Sequence, residues 1–361
     1  MRAVTPPWSR RTWVTVCVGA VTLLAAPTVI SAKVLSTASN TTAVRANARV
    51  STTNSSSALP KTRAPVGTTA PTRPEPTMSR ARIRASTPRN STSDPPWKVA
   101  RTTRTYTDGA RSTPARGIEP GHSGRVMRTI IRWPVTRRGV LAPGRHPLVV
   151  FAHGYAVETS TYSGLLDDLA AAGMIVAAPE LPGESAALAG PPNETDLANE
   201  PCDLEFVADS VEHEPPAGLA GALARAPLVF AGHSDGATAA AAAGYSTNNC
   251  PGPKPVVVVA LSSDDVVVKD AARGSLPTLL AATGTADEIN PVSHTETLWL
   301  HVPRPAWLLT VQGGTHLGTF TTDPDRPQVD AVIITFVLAH TVDPLAAANT
   351  FVNGRLHLYE R

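Results

Sequence analysis

Cysteine, aromatic residues and, over the first hundred positions, acidic residues are what this 361-residue chain has least of. The only cysteines are Cys17, Cys202 and Cys250, and no Cys/His cluster has the spacing of a ligand set, which argues against a structural metal module. Residues 1–32 contain no acid at all. Arg2, Arg10 and Arg11 precede an apolar run from Trp13 to Ile30 and then Ser31-Ala32, the charged, apolar, small-residue order of a secretory signal. Ser9-Arg10-Arg11-Thr12-Trp13-Val14 follows part of a twin-arginine pattern, with Trp13 in place of the usual Phe. The apolar run is also long enough to remain in a bilayer, so cleavage after Ala32 and a membrane tether through residues 12–30 both stay open. Either fate gives a secreted or extracytoplasmic protein.

Residues 33–100 lack the apolar surface that folding needs. They are Ser, Thr, Pro, Ala and Arg with one aromatic, Trp97, and cannot offset their conformational entropy by burial. The expectation is a disordered stalk. Its 11 basic residues face only 2 acids. A basic tail of this kind can contact an anionic envelope or nucleic acid, but solvation and spanning of a cell wall is the better reading, and no nucleic-acid partner is expected. The overall charge of +3 therefore hides an acidic remainder: with the three arginines of the leader and the stalk's excess set aside, residues 101–361 carry −9.

Those 261 residues are enough for one large domain. Short β-branched runs at Leu148 to Ala152, Met174 to Ala178, Leu228 to Ala231, Val256 to Leu261, Thr278 to Thr283 and Trp307 to Val311 read as strands covered on both faces. Between them Tyr162, Leu165, Leu166 and Leu169 share one helical face, as do Val329, Val332, Ile333, Phe336 and Val337. The alternation predicts an α/β domain with a mostly parallel central sheet flanked by helices, and Thr129 to Trp133 is expected to begin an antiparallel edge.

Gly232-His233-Ser234-Asp235-Gly236 closes the run Pro227-Leu228-Val229-Phe230-Ala231 and opens a small-residue run from Ala237. Strand, sharp turn and helix follow in that order, and glycines on both sides let the turn tighten until Ser234 is held exposed in a strained conformation. A serine nucleophile needs a base, and the base needs an orienting carboxylate. Asp287, in the turn-rich loop after the Leu276 to Thr283 run, is the candidate acid, with Asp264 and Asp265 as rivals. His316, after Trp307 to Val311 and beside Gly313-Gly314, is the candidate base, with His294 and His301 less well placed. Each lies past the C-terminal end of a strand, where open α/β sheets gather their sites. The oxyanion donors are then the backbone N–H groups of Tyr155, which ends His153-Gly154-Tyr155, and of Asp235 at a helix N-terminus. His153 and His233 are expected to pack and hydrogen-bond.

The pieces Val150-Phe151-Ala152-His153-Gly154-Tyr155, Pro201-Cys202-Asp203-Leu204-Glu205-Phe206-Val207-Ala208-Asp209, Gly232-His233-Ser234-Asp235-Gly236, Gly284-Thr285-Ala286-Asp287 and Gly314-Thr315-His316 resemble the serine-hydrolase branch of the α/β-hydrolase family. The nearest cluster is that of dienelactone-hydrolase-like, chlorophyllase-like, platelet-activating-factor-acetylhydrolase-like and polyester-hydrolase sequences, over roughly residues 104 to 340 and including the lead-in Thr113-Pro114-Ala115-Arg116-Gly117. The chain order serine, acid, histidine agrees. The resemblance implies an α/β-hydrolase fold, a Ser234–Asp287–His316 triad and cleavage of small-molecule or polymeric carboxylic esters; such a triad needs no cofactor, no metal is expected, and the expectation is a monomer. Asp235 and Ala237 depart from the usual pattern; a carboxylate beside the oxyanion would lower activity or narrow the substrate range unless it points away. An envelope acyltransferase with the same triad, and a non-catalytic surface protein on the same fold, remain alternatives. Whether Cys202 and Cys250 pair is not readable from sequence.

Overall fold

The computed structural model describes residues 97–246, 250–265, 275–343 and 354–361. The expected leader, tether and stalk (residues 1–96) lie outside the described residues. Strands are β1 (Lys98–Thr113), β2 (His122–Val135), β3 (Leu148–Ala152), β4 (Ile175–Pro179), β5 (Leu228–His233), β6 (Val257–Leu261), β7 (Thr278–Gly284), β8 (Ala306–Val311) and β9 (Leu356–Glu360). Helices are α1 (Ser163–Ala171), α2 (Glu200–His213), α3 (Ala220–Leu223), α4 (Asp235–Tyr245), α5 (Val292–His301), α6 (Gly318–Thr321) and α7 (Arg326–Thr341). The strands form one sheet in the order β1-β2-β4-β3-β5-β6-β7-β8-β9. From β4 to β8 neighbours are parallel; β2 joins β4 antiparallel, and β9 joins β8 antiparallel.

The strands alternate residue by residue between two cores. Val149, Phe151, Val229, Ala231, Val257, Val259, Leu261, Leu280 and Ala282 face α1 and α7, where Leu165, Leu166, Leu169, Val329, Val332, Ile333 and Phe336 are buried. Leu148, Val150, Phe230, Val258, Ala260, Leu279 and Ala281 face α2, α4 and α5, with Leu204, Val207, Tyr245 and Leu298. Period-two alternation with both faces covered is what a continuous β-branched run becomes in a parallel sheet.

The segment expected to begin an edge is not the edge. β2 runs longer than Thr129 to Trp133, and β1 covers its outer side from Lys98↔Val135 to Thr113↔His122, with a bulge between Asp108 and Ser112. β1 escapes a sequence reading because most of it faces water: Tyr106 and Thr113 are its buried residues, among arginines and threonines. A buried ion cluster fastens this arm. Arg125 of β2 is fully buried and forks onto Asp196 (2.9 and 2.7 Å) and Asp203 of α2 (2.7 and 2.5 Å).

Cys202, in the first turn of α2, is disulfide-bonded to Cys250, with Cα atoms 5.2 Å apart. The chain beyond α4 returns along α2: Gly252 lies against Glu205, and Lys254 Nζ reaches Glu205 Oε1 at 2.5 Å. That return brings the two thiols together.

Candidate active site

The peptide after β5 turns so sharply that Ser234 takes φ 56°, ψ −123°, a left-handed conformation that costs a residue with a Cβ on the order of 1–3 kcal/mol. Neighbours hold it there. Ser234 N–H donates to Leu261 O (2.9 Å), and Ser234 O accepts from Ala237 and Thr238 N–H (2.9 and 3.1 Å) at the start of α4. A Cβ on Gly232 would fall 2.2 Å from Gly236 O, and one on Gly236 would fall 2.4 Å from Ala152 O. Both glycines are therefore required by close approach, the second because the elbow packs on the end of β3.

His316, in the loop between β8 and α6, extends its ring to the serine: Nε2 lies 3.1 Å from Ser234 Oγ. Its Nδ1 lies 2.9 and 3.0 Å from the two oxygens of Asp287. Asp287 Oδ1 also accepts from Ile289 and Asn290 N–H (3.0 and 2.8 Å). Burial pushes its carboxyl up, but hydrogen bonds from His316, Ser262 and Asn290 outweigh that and hold it below the usual range. The ring is 5% exposed and the serine 8%, so both meet a surface opening only narrowly. The rival groups are engaged elsewhere. Asp264 Oδ1 is 2.9 Å from His294 Nδ1, and His301 Nδ1 donates to Thr297 O at 2.6 Å.

Gly154 O accepts from His153 Nδ1–H (2.9 Å) and Val157 N–H (3.2 Å), while His153 Nε2 accepts Leu181 N–H at 3.0 Å. Gly154 O and Tyr155 N–H belong to one peptide unit, so pinning the carbonyl aims the N–H the opposite way. A Cβ on Gly154 would touch Ser234 Cβ at 3.0 Å, which fixes how near this peptide comes to the serine. Among the described residues, no acceptor takes the N–H of Tyr155 or of Asp235. Tyr155 Oη donates to Pro192 O (3.2 Å), leaving the ring 40% exposed at the mouth. The 182–190 loop beside it is clamped by buried Arg116, which donates to Pro182, Ser185 and Gly190 carbonyls (3.0, 2.7 and 3.0 Å).

Three features of the site had no signal in the sequence. Glu184 and Glu200, 16 positions apart, are both fully buried and face one another, with the Asp235 carboxyl close by. Burial first pushes both carboxyls up; the Asp235 charge adds to this for Glu184, and the charges of Glu184 and Asp203 add to it for Glu200. Asp235 itself is pushed up to about 6 by burial, Glu194 and Asp264, with His316 opposing. Ile289, two residues beyond Asp287, stands 62% exposed. Among the described residues no group of three His, Cys, Asp or Glu is placed to hold a metal ion, and no helix is long and apolar enough to cross a membrane.

Residues 106–284 match the chlorophyllase family. This chain has the α/β-hydrolase fold. The match runs from β1 to the end of β7 and so includes Tyr155, Ser234 and Asp235, while Asp287 and His316 lie just past it. The matched family suggests a carboxylesterase-type hydrolase. No curated protein matches the chain.

Proposed function

We propose that this α/β-hydrolase is an exported serine esterase that cleaves carboxylic esters through Ser234, His316 and Asp287 by way of an acyl-enzyme. One observation carries the reading: a strained serine whose Oγ is 3.1 Å from His316 Nε2, while the far side of the same ring meets Asp287 at 2.9 Å. A carboxylate on Nδ1 makes that nitrogen the donor and leaves Nε2 free to take the serine proton. Ser234 Oγ then bonds to the ester carbonyl carbon, and the carbonyl oxygen takes the negative charge between Tyr155 N–H and Asp235 N–H. His316 returns the proton to the leaving alcohol. Water, deprotonated by the same imidazole, repeats the sequence on the acyl-enzyme and frees the acid.

Tyr155, on the loop that carries an oxyanion donor, and Ile289, on the loop that carries Asp287, are exposed apolar side chains, which favours small or extended esters, polymeric ones included. The leader-like order of residues 1–32 and the Ser/Thr/Pro/Ala-rich composition of residues 33–100 support a site of action outside the cytoplasm, with residues 12–30 as a tether if the leader is retained. The test is hydrolysis of p-nitrophenyl esters of increasing chain length by the full chain. Replacing Ser234→Ala is expected to lower kcat on the order of a million-fold, and Asp287→Asn about ten-thousand-fold. A Ser234→Ala protein as active as the parent overturns the assignment.

A further inference from the structure

We propose that His233 is a positioning residue of this site, fixing the backbone of His316 and tying it to the strand end that carries the Tyr155 donor. The inference rests on the triad reading above. His233 ends β5, directly before Ser234, and is 1% exposed. Its Nε2 lies 3.0 Å from His316 O and its Nδ1 2.9 Å from Tyr162 Oη. A carbonyl can only accept, so Nε2 carries the proton; Nδ1 must then accept, and the Tyr162 hydroxyl donates to it. Gly154 N–H donates in turn to Tyr162 Oη at 3.3 Å. The bonds run in one direction without conflict, from Gly154 through Tyr162 and His233 to the His316 carbonyl. They join the end of β3, the entry to α1, the end of β5 and the loop after β8.

Ring packing reinforces the chain of bonds. The His233 ring centre is 4.6 Å from that of His316 and 5.5 Å from those of Tyr162 and Phe320. The titratable groups facing it are Tyr162 at the entry to α1, His316 after β8 and Asp287 after β7. Burial, then the neighbouring His316, push its pKa down to about 3. His233 is therefore neutral whenever His316 takes up the serine proton. A cation at that distance would oppose the imidazolium that forms.

Two measurements on the full-length protein test this. The first is nitrogen-15 NMR of labelled histidines, which reads tautomer and charge independently of activity. His233 is expected to keep the Nε2–H tautomer and not to titrate between about pH 5 and 9. An Nδ1–H tautomer, or titration near the ordinary histidine value, overturns the proposal.

The second measurement is p-nitrophenyl butyrate kinetics. His233→Phe keeps a ring of similar size but loses the donor, and is expected to lower kcat about 100-fold with KM within about twofold. His233→Gln can still donate to the His316 carbonyl and is expected to recover about tenfold of that loss. Unchanged kcat in His233→Phe, or a glutamine variant no better than phenylalanine at equal thermal stability, contradicts the role. Should His233→Phe fail to fold, Tyr162→Phe keeps the ring and removes the hydroxyl that donates to Nδ1 and accepts from Gly154 N–H. A loss of about tenfold in kcat is then expected, and no change contradicts the proposal. Activity surviving Ser234→Ala would sink the triad reading while leaving the tautomer result intact, so the two failures are distinguishable.

Discussion

Asp235 puts a carboxyl group one residue beyond the nucleophile, on the peptide that also supplies an oxyanion donor, and two effects of that charge compete. At a helix N-terminus an anion stabilises α4 by about 0.3–1 kcal/mol. Two unit charges about 8 Å apart at an effective dielectric near 20 repel by about 2 kcal/mol, the order of the penalty an oxyanion held by the Asp235 N–H meets from that carboxylate. The catalytic cost is the larger. Asp235→Asn is therefore expected to raise kcat at about pH 8 roughly thirtyfold, for a small loss of stability. With its pKa pushed up to about 6, the carboxyl of the parent is mostly protonated at pH 5. The advantage of the asparagine should fade there, and a pH-independent ratio of the two rates would contradict the account. Among single residues, Ser234, Asp287 and His316 were legible because each sits just past a strand end in a run with glycine. Glu184 and Glu200 were not, because nothing along the chain signals that two acids in separate segments will face each other without a cation.

At the scale of elements, the elbow is held by contact between β3, β5 and α4. Gly236→Ala would push a methyl group into Ala152 O and His153 O, at 2.4 and 2.6 Å, and so part the elbow from the oxyanion peptide. Its expected signature is a fall in kcat of about 100-fold or more, with far-UV circular dichroism retained; parental activity would show that the contact is dispensable. The parallel strands could be read from sequence because a strand covered on both faces is apolar throughout. β1 and β9 could not, since an edge strand exposed to water alternates weakly and is rich in polar residues. The Cys202–Cys250 link depended on the path of the chain after α4, which no local pattern encodes. Closing a loop of 48 residues, it is expected to contribute about 4 kcal/mol by restricting the unfolded chain. Denaturant unfolding of the Cys202→Ala/Cys250→Ala protein checks this, and an unchanged midpoint would contradict it.

For the whole molecule, buried acids set the response to pH. Burial and the nearby Asp168 raise the Asp330 carboxyl to about 8 from an ordinary 3.8, and Glu184 and Glu200 move the same way. A carboxyl whose pKa is higher folded than unfolded binds more protons in the native state between those two values. Its contribution is present at the acid end and lost as pH rises through the window, here from about 4 to about 8. His233, depressed to about 3, works in the opposite sense: its contribution is lost as pH falls from 6.5 toward 3. Stability is expected to peak near mildly acid pH and to fall toward pH 9. Asp330→Asn should flatten the alkaline decline in thermal melts, and an unaltered slope would remove Asp330 from the explanation.

The central claim is that Ser234 becomes covalently acylated during turnover. Rapid mixing of the full-length protein with p-nitrophenyl acetate, acid quench and peptide mass spectrometry tests it most directly. A burst of nitrophenol approaching one equivalent is expected, with an acetyl group on the peptide containing Ser234. Steady turnover with no burst, and no acyl group on that peptide even when hydrolysis of the intermediate is slowed at low pH, would contradict it.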